Sequence, residues 1–408
     1  QIEECSEFEP DDCSYHHKRE LIKTVLTQES GKLYLIKYIP KEFLETAEFP
    51  VYTDLDISYG TAEQFSDTNE AAYYTRVTEV NTNKFVVCYN NSAIPGVGSC
   101  RAGTVSGTDI TWGAINQFVA DMSVGTPYIG LDKINTDKFA LSYLDDDQSD
   151  EGYTRIGTTT GGTTINYGTA TNVRNGSMQF SGLGQITTDY YAIAYTEGFG
   201  FDGYAVVCTD NNGTPDCGAE SEFADAINSA QYNQVCPLNG TDTFVVNYHD
   251  DAAANWEARA ADTTGTTIDS WGTNLILDNG GNGIYGGCDN IDTGTSQFVS
   301  VWGSFNNNYG LSVMCTVDAS EDLTCGTQRT FGSENGDMAG NAVTKIDGDN
   351  FVISGEDRGD SEKGVSIYSS YSGTTITQGS EEDFHVNQTQ FTAIDLISAN
   401  KVVICYQD

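Results

Sequence analysis

Apolar and polar residues alternate along most of this chain, and short apolar runs are separated by turns rich in Gly, Thr, Asn and Asp. This alternation is typical of β-strands that bury one face. One run, Lys84-Phe85-Val86-Val87-Cys88-Tyr89, returns regularly. Aligned on the first aromatic or its equivalent, successive copies begin at Tyr34, Phe85, Phe139, Tyr191, Phe244, Phe298, Phe351 and Val402. The step of 51 to 54 residues is close to that of the longer propeller repeats.

Each repeat predicts four short antiparallel strands, and units of this kind arranged around an axis form the blades of a β-propeller. In one copy the first strand precedes the turn Asn135-Thr136-Asp137, and a glycine turn, Gly162-Thr163-Thr164-Ile165, separates the third strand from the fourth. The stretch from His17 to Leu26 has helix-like spacing, but Leu21 to Leu26 falls where other copies carry their first strand, so a strand is favoured. The sequence therefore predicts an all-β propeller of four-stranded blades.

The number of blades depends on the two ends of the chain. There are eight first-and-second-strand pairs but seven third-and-fourth-strand pairs, and the last unit stops at Asp408 after its second strand. Closing a ring with strands from both termini removes exposed sheet edges. We therefore predict that residues 1–19 contribute a closing strand and that residues 20–408 form one eight-bladed propeller. A seven-bladed ring with a swapped terminal hairpin is the alternative.

Cysteine usage indicates an oxidising compartment, because the chain has 11 cysteines and a repeat that makes their pairing readable. Three pairs fall within single units and a fourth joins equivalent places in adjacent units: Cys88–Cys100, Cys208–Cys217, Cys315–Cys325 and Cys236–Cys288. We expect Cys5 or Cys13 to pair with Cys405 and latch the ring, which leaves one cysteine as a buried thiol or an intermolecular link. The absence of any C-x-x-C pair disfavours zinc.

Charge excludes two classes of partner. The chain has 19 basic and 59 acidic residues, a formal net charge of −40, which would repel nucleic acids and anionic membranes. No run of 18 apolar residues is present to insert into a membrane. The first residue is Gln1 rather than Met, which favours removal of a leader and a secreted, extracellular protein. A basic N-terminal stretch that includes Lys18, Arg19 and Lys23 would dock on the acidic face of another copy, and packing on its own ring is the alternative.

Candidate binding residues lie in the loops after the second strands. Asp145, Asp147 and Asp150 supply oxygen ligands of the kind that Ca²⁺ prefers, although the loop lacks a strict EF-hand pattern, so calcium is the one cofactor considered. The aromatic residues Phe199, Phe201 and Trp256 would stack on sugars or contact a protein partner if exposed, and packing within the loops is the alternative. N-x-[ST] sequences predict glycosylation at Asn90, Asn175, Asn212, Asn239 and Asn387.

Catalytic motifs are absent from the sequence. None of the four histidines lies in a hydrolase or metalloprotease motif, and there is no phosphate-binding loop. Acidic residues are so numerous that no particular pair of carboxylates stands out as a catalytic pair. We therefore expect a protein that is not an enzyme.

Two segments carry a resemblance to a known group of proteins. Asn400 to Asp408 reads NKVVICYQD and Gly103 to Gly113 reads GTVSGTDITWG. These runs resemble repeats of propeller-like surface proteins from marine microbes and their viruses. The resemblance covers strand and turn residues along nearly the whole chain, and it implies the fold and an extracellular setting but no catalytic residue.

The leading hypothesis is a secreted, disulfide-stapled structural protein that forms or decorates an extracellular filament or surface by self-association or by contact with another structural protein. A glycan-binding, lectin-like propeller that uses rim aromatics is the first alternative. A carbohydrate-active enzyme is the second, and it would require two carboxylates that face each other across a central pocket.

Overall fold

The computed structural model describes residues 23–29, 32–38, 57–67, 71–91, 96–120, 122, 128–145, 151–160, 162–198, 201–225, 229–238, 241–291, 296–306, 308–332 and 338–408. Every regular element in these ranges is a β-strand, so the all-β prediction is confirmed. No helix in this part of the chain is long and apolar enough to cross a membrane. Two compact units divide the chain, Gln1–Ser58 and Tyr59–Asp408.

The first unit contains one described hairpin. Its strands β1 (Lys23–Glu29) and β2 (Lys32–Tyr38) pair antiparallel, with Leu26 opposite Leu35. The interpretation of this region as strand is therefore confirmed from Lys23 onward. The predicted closing strand within residues 1–19 lies outside the described residues.

The described residues of the second unit form seven groups of antiparallel strands, which we number as sheets in chain order. Sheet 1 holds β3 (Ala72–Asn81), β4 (Lys84–Asn91), β5 (Val97–Ser106) and β6 (Asp109–Val119). Sheet 2 holds β7 (Gly130–Asn135), β8 (Lys138–Asp145), β9 (Glu151–Thr160) and β10 (Thr164–Tyr167). Sheet 3 holds β11 (Thr171–Thr187), β12 (Tyr190–Glu197), β13 (Gly203–Asn211), β14 (Thr214–Cys217) and β15 (Ser221–Ala224). The long strand β11 pairs with both β9 and β12 and so joins sheets 2 and 3.

The remaining sheets repeat this plan. Sheet 4 holds β16 (Ala230–Pro237), β17 (Thr243–Asp250), β18 (Asn255–Thr264), β19 (Thr267–Trp271) and β20 (Leu275–Asp278). Sheet 5 holds β21 (Gly283–Asn290), β22 (Gln297–Ser304), β23 (Tyr309–Val317), β24 (Leu323–Cys325) and β25 (Arg329–Phe331). Sheet 6 holds β26 (Met338–Asp347), β27 (Asn350–Asp357), β28 (Lys363–Ser372) and β29 (Thr375–Gln388), and sheet 7 holds β30 (Gln390–Ser398) and β31 (Lys401–Gln407).

The first strands of the sheets follow one another in a propeller-like order. Each first strand contacts the next, from β3 through β7, β11, β16, β21 and β26 to β30, and β30 in turn contacts β3. The backbone N–H of Asp137 donates to the Val80 carbonyl of the preceding sheet at 2.9 Å. The N–H of Asn83 makes the same bond, at 2.8 Å, to the Ile397 carbonyl of sheet 7. The last sheet therefore contacts the first as neighbouring sheets contact each other.

The second strands form the most buried layer. In β4, β8, β12, β17, β22 and β27 almost every residue is buried, because each lies inside its own sheet with another sheet packed on either face. This explains why the repeated run is continuously apolar where an ordinary half-exposed strand would alternate.

The four predicted disulfides are confirmed. Three of them close hairpins within one sheet, Cys88–Cys100, Cys208–Cys217 and Cys315–Cys325. Cys236 on β16 pairs with Cys288 on β21 and joins two neighbouring sheets. The predicted latch at Cys405 is wrong, because Cys405 is a buried free thiol. It lies in the core between sheets 7 and 1, and burial raises the pKa of this thiol to about 12. Cys5 and Cys13 lie outside the described residues.

Candidate functional site: an aromatic belt around a central cavity

A small central cavity is lined by residues from all seven sheets. Its volume is about 50 Å³. At one equivalent position in each sheet, within the first strand or, in sheet 2, just before it, six of the seven residues are aromatic. They are Tyr74, Tyr128, Phe180, Tyr232, Tyr285 and Phe391, and we call them the aromatic belt. The seventh position, in sheet 6, is Gly340.

Neighbouring rings of the belt touch. Ring centroids are 4.6 Å apart for Phe391 and Tyr74, 4.8 Å for Tyr74 and Tyr128, and 4.5 Å for Tyr128 and Phe180. The series continues at 4.9 Å to Tyr232 and 4.8 Å from there to Tyr285. The planes are inclined to one another, as is usual for aromatic pairs. The belt is therefore a horseshoe of six half-buried rings that opens at Gly340.

Backbone conformation points these rings inward. Tyr74, Phe180, Tyr232, Tyr285 and Phe391 have φ values between 49° and 54°, in the left-handed region that bulky residues avoid. In the six sheets other than sheet 2, the pairing of the first strand with the second strand is interrupted by a β-bulge at this point, for example between Tyr73 and Arg76. Such conformations cost about 1–3 kcal/mol each and concentrate at functional sites. The repetition of this cost at five aromatic residues makes the belt the leading candidate site.

Hydrogen bonds from one sheet to the next hold the bulges. At four of the seven positions, the residue after the belt position donates its side chain to the carbonyl of the residue at the preceding belt position. Asn233 Nδ2 donates to the Phe180 carbonyl at 3.1 Å, and Ser181 Oγ donates to the Tyr128 carbonyl at 3.3 Å. Thr75 makes the same bond to Phe391, and Thr392 makes it to Gly340. The belt is thus positioned by contacts between sheets and not by any single sheet.

The phenol groups of the belt lie close together. Burial raises the pKa of Tyr128, and Tyr232, Tyr74 and Tyr285 raise it further, while Arg76 lowers it. For the Arg76 guanidinium, burial has the opposite effect and lowers the pKa, because its charged form is the protonated one. Arg76 follows Tyr74 by two residues on β3 and lines the same cavity. The cavity therefore brings several hydroxyl groups and one guanidinium together.

A second cavity, of about 160 Å³, is lined by residues one to five positions further along the first strands. Its lining includes three half-buried carboxylates, Asp132, Asp289 and Asp395, and Arg76. Burial raises the pKa of Asp132 to about 6 and those of Asp289 and Asp395 to about 7. The three carboxylates also raise one another's pKa, because like charges that face a common cavity repel.

These carboxylates bond to the backbone of the next sheet. Asp132 Oδ2 accepts the N–H of Gln185 at 2.7 Å, and Asp289 Oδ2 accepts the N–H of Lys345 at 2.8 Å. Asp395 Oδ2 accepts the N–H of Glu79 at 2.5 Å, across the contact between sheets 7 and 1. Because these oxygens already accept backbone hydrogen bonds, the arrangement suits a structural role better than acid–base catalysis.

The structure corrects the expectation for Trp256. Its side chain is fully buried, its ring stacks on Trp302 at 6.2 Å, and Nε1 donates to Ser300 Oγ at 3.1 Å. Trp256 faces sheet 5, where Gly283 and Gly286 leave room for its ring. It is therefore a core residue, which was the alternative considered for the loop aromatics. Phe201 is 42% exposed and stays available at the surface, and Phe199 lies outside the described residues.

The predicted calcium loop lies largely outside the described ranges. Asp145 ends β8, whereas Asp147 and Asp150 are not described. Across the described ranges, His, Cys, Asp and Glu side chains form no group of three that would hold a metal ion. Of the basic docking residues, Lys23 lies in β1, while Lys18 and Arg19 lie outside the described residues.

The predicted glycosylation sites divide by exposure. Asn175, Asn212 and Asn387 are exposed, and Asn212 occupies a tight turn with φ 54°. Asn90 is a correction, since its side chain is only 3% exposed, near the end of β4 where Tyr73 and Gly98 pair with it. A glycan on Asn90 does not fit this fold. Asn239 lies outside the described residues.

Sequence reasoning missed the belt, although a signal was present. An aromatic residue stands 11 to 13 positions before the repeated run in six units, for example Tyr74 before Phe85 and Tyr285 before Phe298. Such a residue looks like an ordinary first-strand aromatic. Only the bulge and the left-handed backbone turn it toward the centre.

Comparison with known proteins gives similarity of overall form only. No protein-family model and no curated protein matches the sequence. A hypothetical selenium-binding protein from Sulfolobus tokodaii aligns with a TM-score of 0.49 and 6% identity over 80% of this chain and 79% of that chain. An Aleuria aurantia lectin variant in complex with Fucα1-6GlcNAc aligns with a TM-score of 0.46 and 8% identity over 76% of this chain and 96% of that chain. A neuraminidase-like protein from A/bat/Guatemala aligns with a TM-score of 0.43 and 9% identity over 71% of this chain and 84% of that chain.

Proposed function

We propose that this protein is an extracellular binding protein without catalytic activity, and that its aromatic belt docks the flat apolar face of a sugar ring. The observation that carries the proposal is the belt itself, in which five bulky residues adopt the left-handed conformation at the centre of the molecule. Half-buried rings of this kind supply contact area and a polar edge for a ligand. Asn233 and Asn341 also line the cavity, and their side-chain oxygens have no hydrogen-bond partner among the described residues, so they would accept bonds from ligand hydroxyls.

Two properties of the chain outside the candidate site support an extracellular setting. Four disulfides in the described residues favour an oxidising compartment. A net charge of −40 lowers a protein's affinity for polyanions. Secretion and attachment of glycans at Asn175, Asn212 and Asn387 belong to this proposal, and the relationship to surface proteins of marine microbes stays a prediction.

Replacing two belt residues tests the binding function. Gly340 already occupies a belt position, so Phe180→Gly with Tyr232→Gly copies a backbone that this fold accepts, and glycine tolerates the positive φ. We expect at least a ten-fold loss of affinity on a glycan array followed by calorimetry, since each lost ring contact is worth about 0.5–1.5 kcal/mol. Phe201→Ala is the matched control, an exposed aromatic residue outside the belt. If the control abolishes binding while the double variant retains it, the belt is not the site.

We also propose that Tyr59–Asp408 form a ring of seven blades, in place of eight, with the outer part of the seventh supplied by the segment that begins at Tyr59. In sheet 2, the Tyr167 hydroxyl donates to the Asn116 carbonyl of the preceding sheet at 3.3 Å. The Tyr59 hydroxyl makes the corresponding bond to the Glu382 carbonyl of sheet 6 at 3.4 Å. Tyr59 thus has the contacts that a fourth-strand aromatic of sheet 7 would have.

A repeated arginine contact supports the same assignment. Arg155 Nη1 donates to the Phe118 carbonyl of the preceding sheet at 2.6 Å, and Arg259 Nη1 donates to the Phe223 carbonyl at 2.7 Å. In sheet 1, Arg101 Nη1 donates to the Phe65 carbonyl at 3.0 Å. Phe65 therefore stands before sheet 1 as Phe118 and Phe223 stand before sheets 2 and 4, in the place of a seventh outer strand.

Assembly into a filament or surface layer is a second candidate function, and one observation favours it. The 14-residue strand β29 lies at the edge of sheet 6, no described strand pairs with its outer edge, and its Val386 is 68% exposed. Exposed edge strands are sites of strand addition.

Imaging of the native particle tests the architecture and the assembly together. Electron microscopy of purified protein, with and without calcium, should resolve rings of seven blades. Ordered chains or sheets of rings would support assembly, and Val386→Lys should then disperse them because it places a charge on the edge. Single rings at high protein concentration under both conditions would exclude assembly, and rings of eight blades would contradict the assignment of Tyr59 and Phe65.

A further inference from the structure

We propose that the central cavity recognises a carboxylate on its ligand, so that the bound sugar is an acidic one such as a uronic acid, and that Arg76 binds this carboxylate. The proposal rests on the proposed function, because it concerns the ligand of the belt. Arginine matches carboxylates through two parallel N–H···O bonds.

Arg76 is an exception within the repeat. It lies opposite Cys88 of the second strand, and the residues with the same pairing in the other first strands are Gly130, Gly182, Gln234, Gly287, Ala342 and Ala393. Small residues or a neutral amide serve at six of the seven positions. The fold therefore does not require an arginine there, and its presence calls for a role in binding.

Most N–H donors of the Arg76 guanidinium make no hydrogen bond to a described residue. Its one hydrogen bond to a described residue runs from Nη1 to the Thr75 carbonyl at 3.2 Å. No carboxylate of the described chain lies within ion-pair distance of it, although three carboxylates line the adjoining cavity. Burying a charge without a partner is costly, and an anionic ligand group would remove that cost.

The side chains around Arg76 also supply hydrogen-bond donors. Tyr74, Tyr128, Tyr232 and Tyr285 line the cavity with it, and each phenol provides an O–H donor as well as acceptor capacity. The volume of about 50 Å³ exceeds the share of one water molecule, about 30 Å³, and stays far below the several hundred Å³ of a typical ligand pocket. A small oxyanion group suits this space, with the rest of the sugar stacked on the belt outside.

The negative charge of the protein opposes an anion, and distance reduces that opposition. Asp132, Asp289 and Asp395 lie two residues beyond the level of Arg76 on their strands, which corresponds to about 6–7 Å. Their carboxylates are partly protonated near neutral pH, because burial raises the pKa of Asp132 to about 6 and those of Asp289 and Asp395 to about 7. Charges on the outer surface are screened over a Debye length of about 8 Å at physiological salt.

The test compares three sugars that differ in charge. Glucuronate, glucose and glucosamine are titrated into the full-length protein by calorimetry, with acetate as the bare carboxylate probe. We expect glucuronate to bind at least ten-fold more tightly than glucose, and glucosamine to bind most weakly. Arg76→Gln copies Gln234 of sheet 4 and should abolish the preference for glucuronate over glucose. Arg358→Gln, an arginine that Glu356 already pairs at 3.3 Å, is the matched control.

The outcomes separate the inference from the proposed function. Equal affinity for glucose and glucuronate, or a preference for glucosamine, overturns the inference, while glucose binding that depends on the belt keeps the function. If no sugar binds but acetate binds at a site that Arg76→Gln removes, the carboxylate site stands and the sugar function fails. If Arg76→Gln does not fold, the wild-type protein is iodinated chemically with and without acetate. Slower iodination of the belt tyrosines in acetate supports the carboxylate site, and an unchanged iodination rate contradicts it.

Discussion

Replacing Cys236 and Cys288 by alanine together should lower the free energy of unfolding by about 4 kcal/mol, more than the loss of any other bridge in the described residues. The two cysteines are 52 residues apart, so their bond removes a large loop from the unfolded chain. On the chain-entropy account, the stabilisation grows with the logarithm of the loop length. The bridge also joins β16 to β21, so it ties two sheets together where the other three bridges staple single hairpins.

The hairpin bridge Cys208–Cys217 is the matched control. Its cysteines are 9 residues apart, and the same account gives about 2.5–3 kcal/mol for that loop. Chemical denaturation of the two double-alanine variants should therefore rank the inter-sheet variant as the less stable by about 1 kcal/mol or more. An equal loss, or a larger loss for the hairpin variant, would mean that the stabilisation does not follow loop length in this fold.

The disulfides were readable from the sequence because the repeat supplies geometry. Cys208 and Cys217 fall on either side of a predicted turn, and Cys315 and Cys325 occupy the same place two units later, so each pair had to close its own hairpin. Cys236 and Cys288 occupy nearly equivalent first-strand positions in adjacent units, which brings them together only if neighbouring first strands touch. The repeat also predicted four antiparallel strands per unit, which sheets 1, 2 and 6 have, whereas sheets 3, 4 and 5 have a fifth short strand.

Other features escaped prediction for physical reasons. Trp256 lies just after a polar turn, which suggests exposure, but the glycines of β21 leave space that the indole fills. Asn90 reads as a turn residue but lies in a strand that is buried on both faces. The contacts of Tyr59 and Phe65 with sheets 6 and 1 depend on which sheets are neighbours in space, and this the local pattern does not specify. The belt depends on backbone angles that aromatic residues rarely adopt, so residue propensities for secondary structure do not predict it.

Acidification from pH 8 to pH 5 should stabilise this protein, by about 3 kcal/mol or more, and the three cavity carboxylates should cause most of the gain. Asp132, Asp289 and Asp395 have pKa values of about 6, 7 and 7 in the folded protein because burial disfavours their charged forms. An unfolded aspartate titrates near 3.9. The folded state therefore binds more protons than the unfolded state between about pH 4 and pH 8, so the free energy of unfolding falls as pH rises through that window.

The neighbours of these carboxylates set the size of the effect. Lys345 lowers the pKa of Asp289, and Glu79 raises that of Asp395, while Arg76 lines the same cavity. Glu381 contributes separately, because burial raises its pKa to about 7, with Asp357, Asp383 and Asp360 adding to the shift. We therefore expect substitution of the three cavity aspartates to reduce the slope of stability against pH without abolishing it.

The triple variant Asp132→Asn, Asp289→Asn and Asp395→Asn separates this effect from the overall charge of −40. It loses oxygens that accept backbone N–H groups of neighbouring sheets, so it should be less stable at pH 5, whereas at pH 8 it escapes the cost of three buried charges. Its stability curve should consequently be flatter than that of the wild type. The control replaces three exposed carboxylates, Asp109, Asp216 and Asp225, and removes the same formal charge. The free energy of unfolding of each variant is measured by denaturation at pH 5, 6.5 and 8. If both triple variants have the same slope of stability against pH, general charge repulsion governs the response to acid, and the central cavity does not.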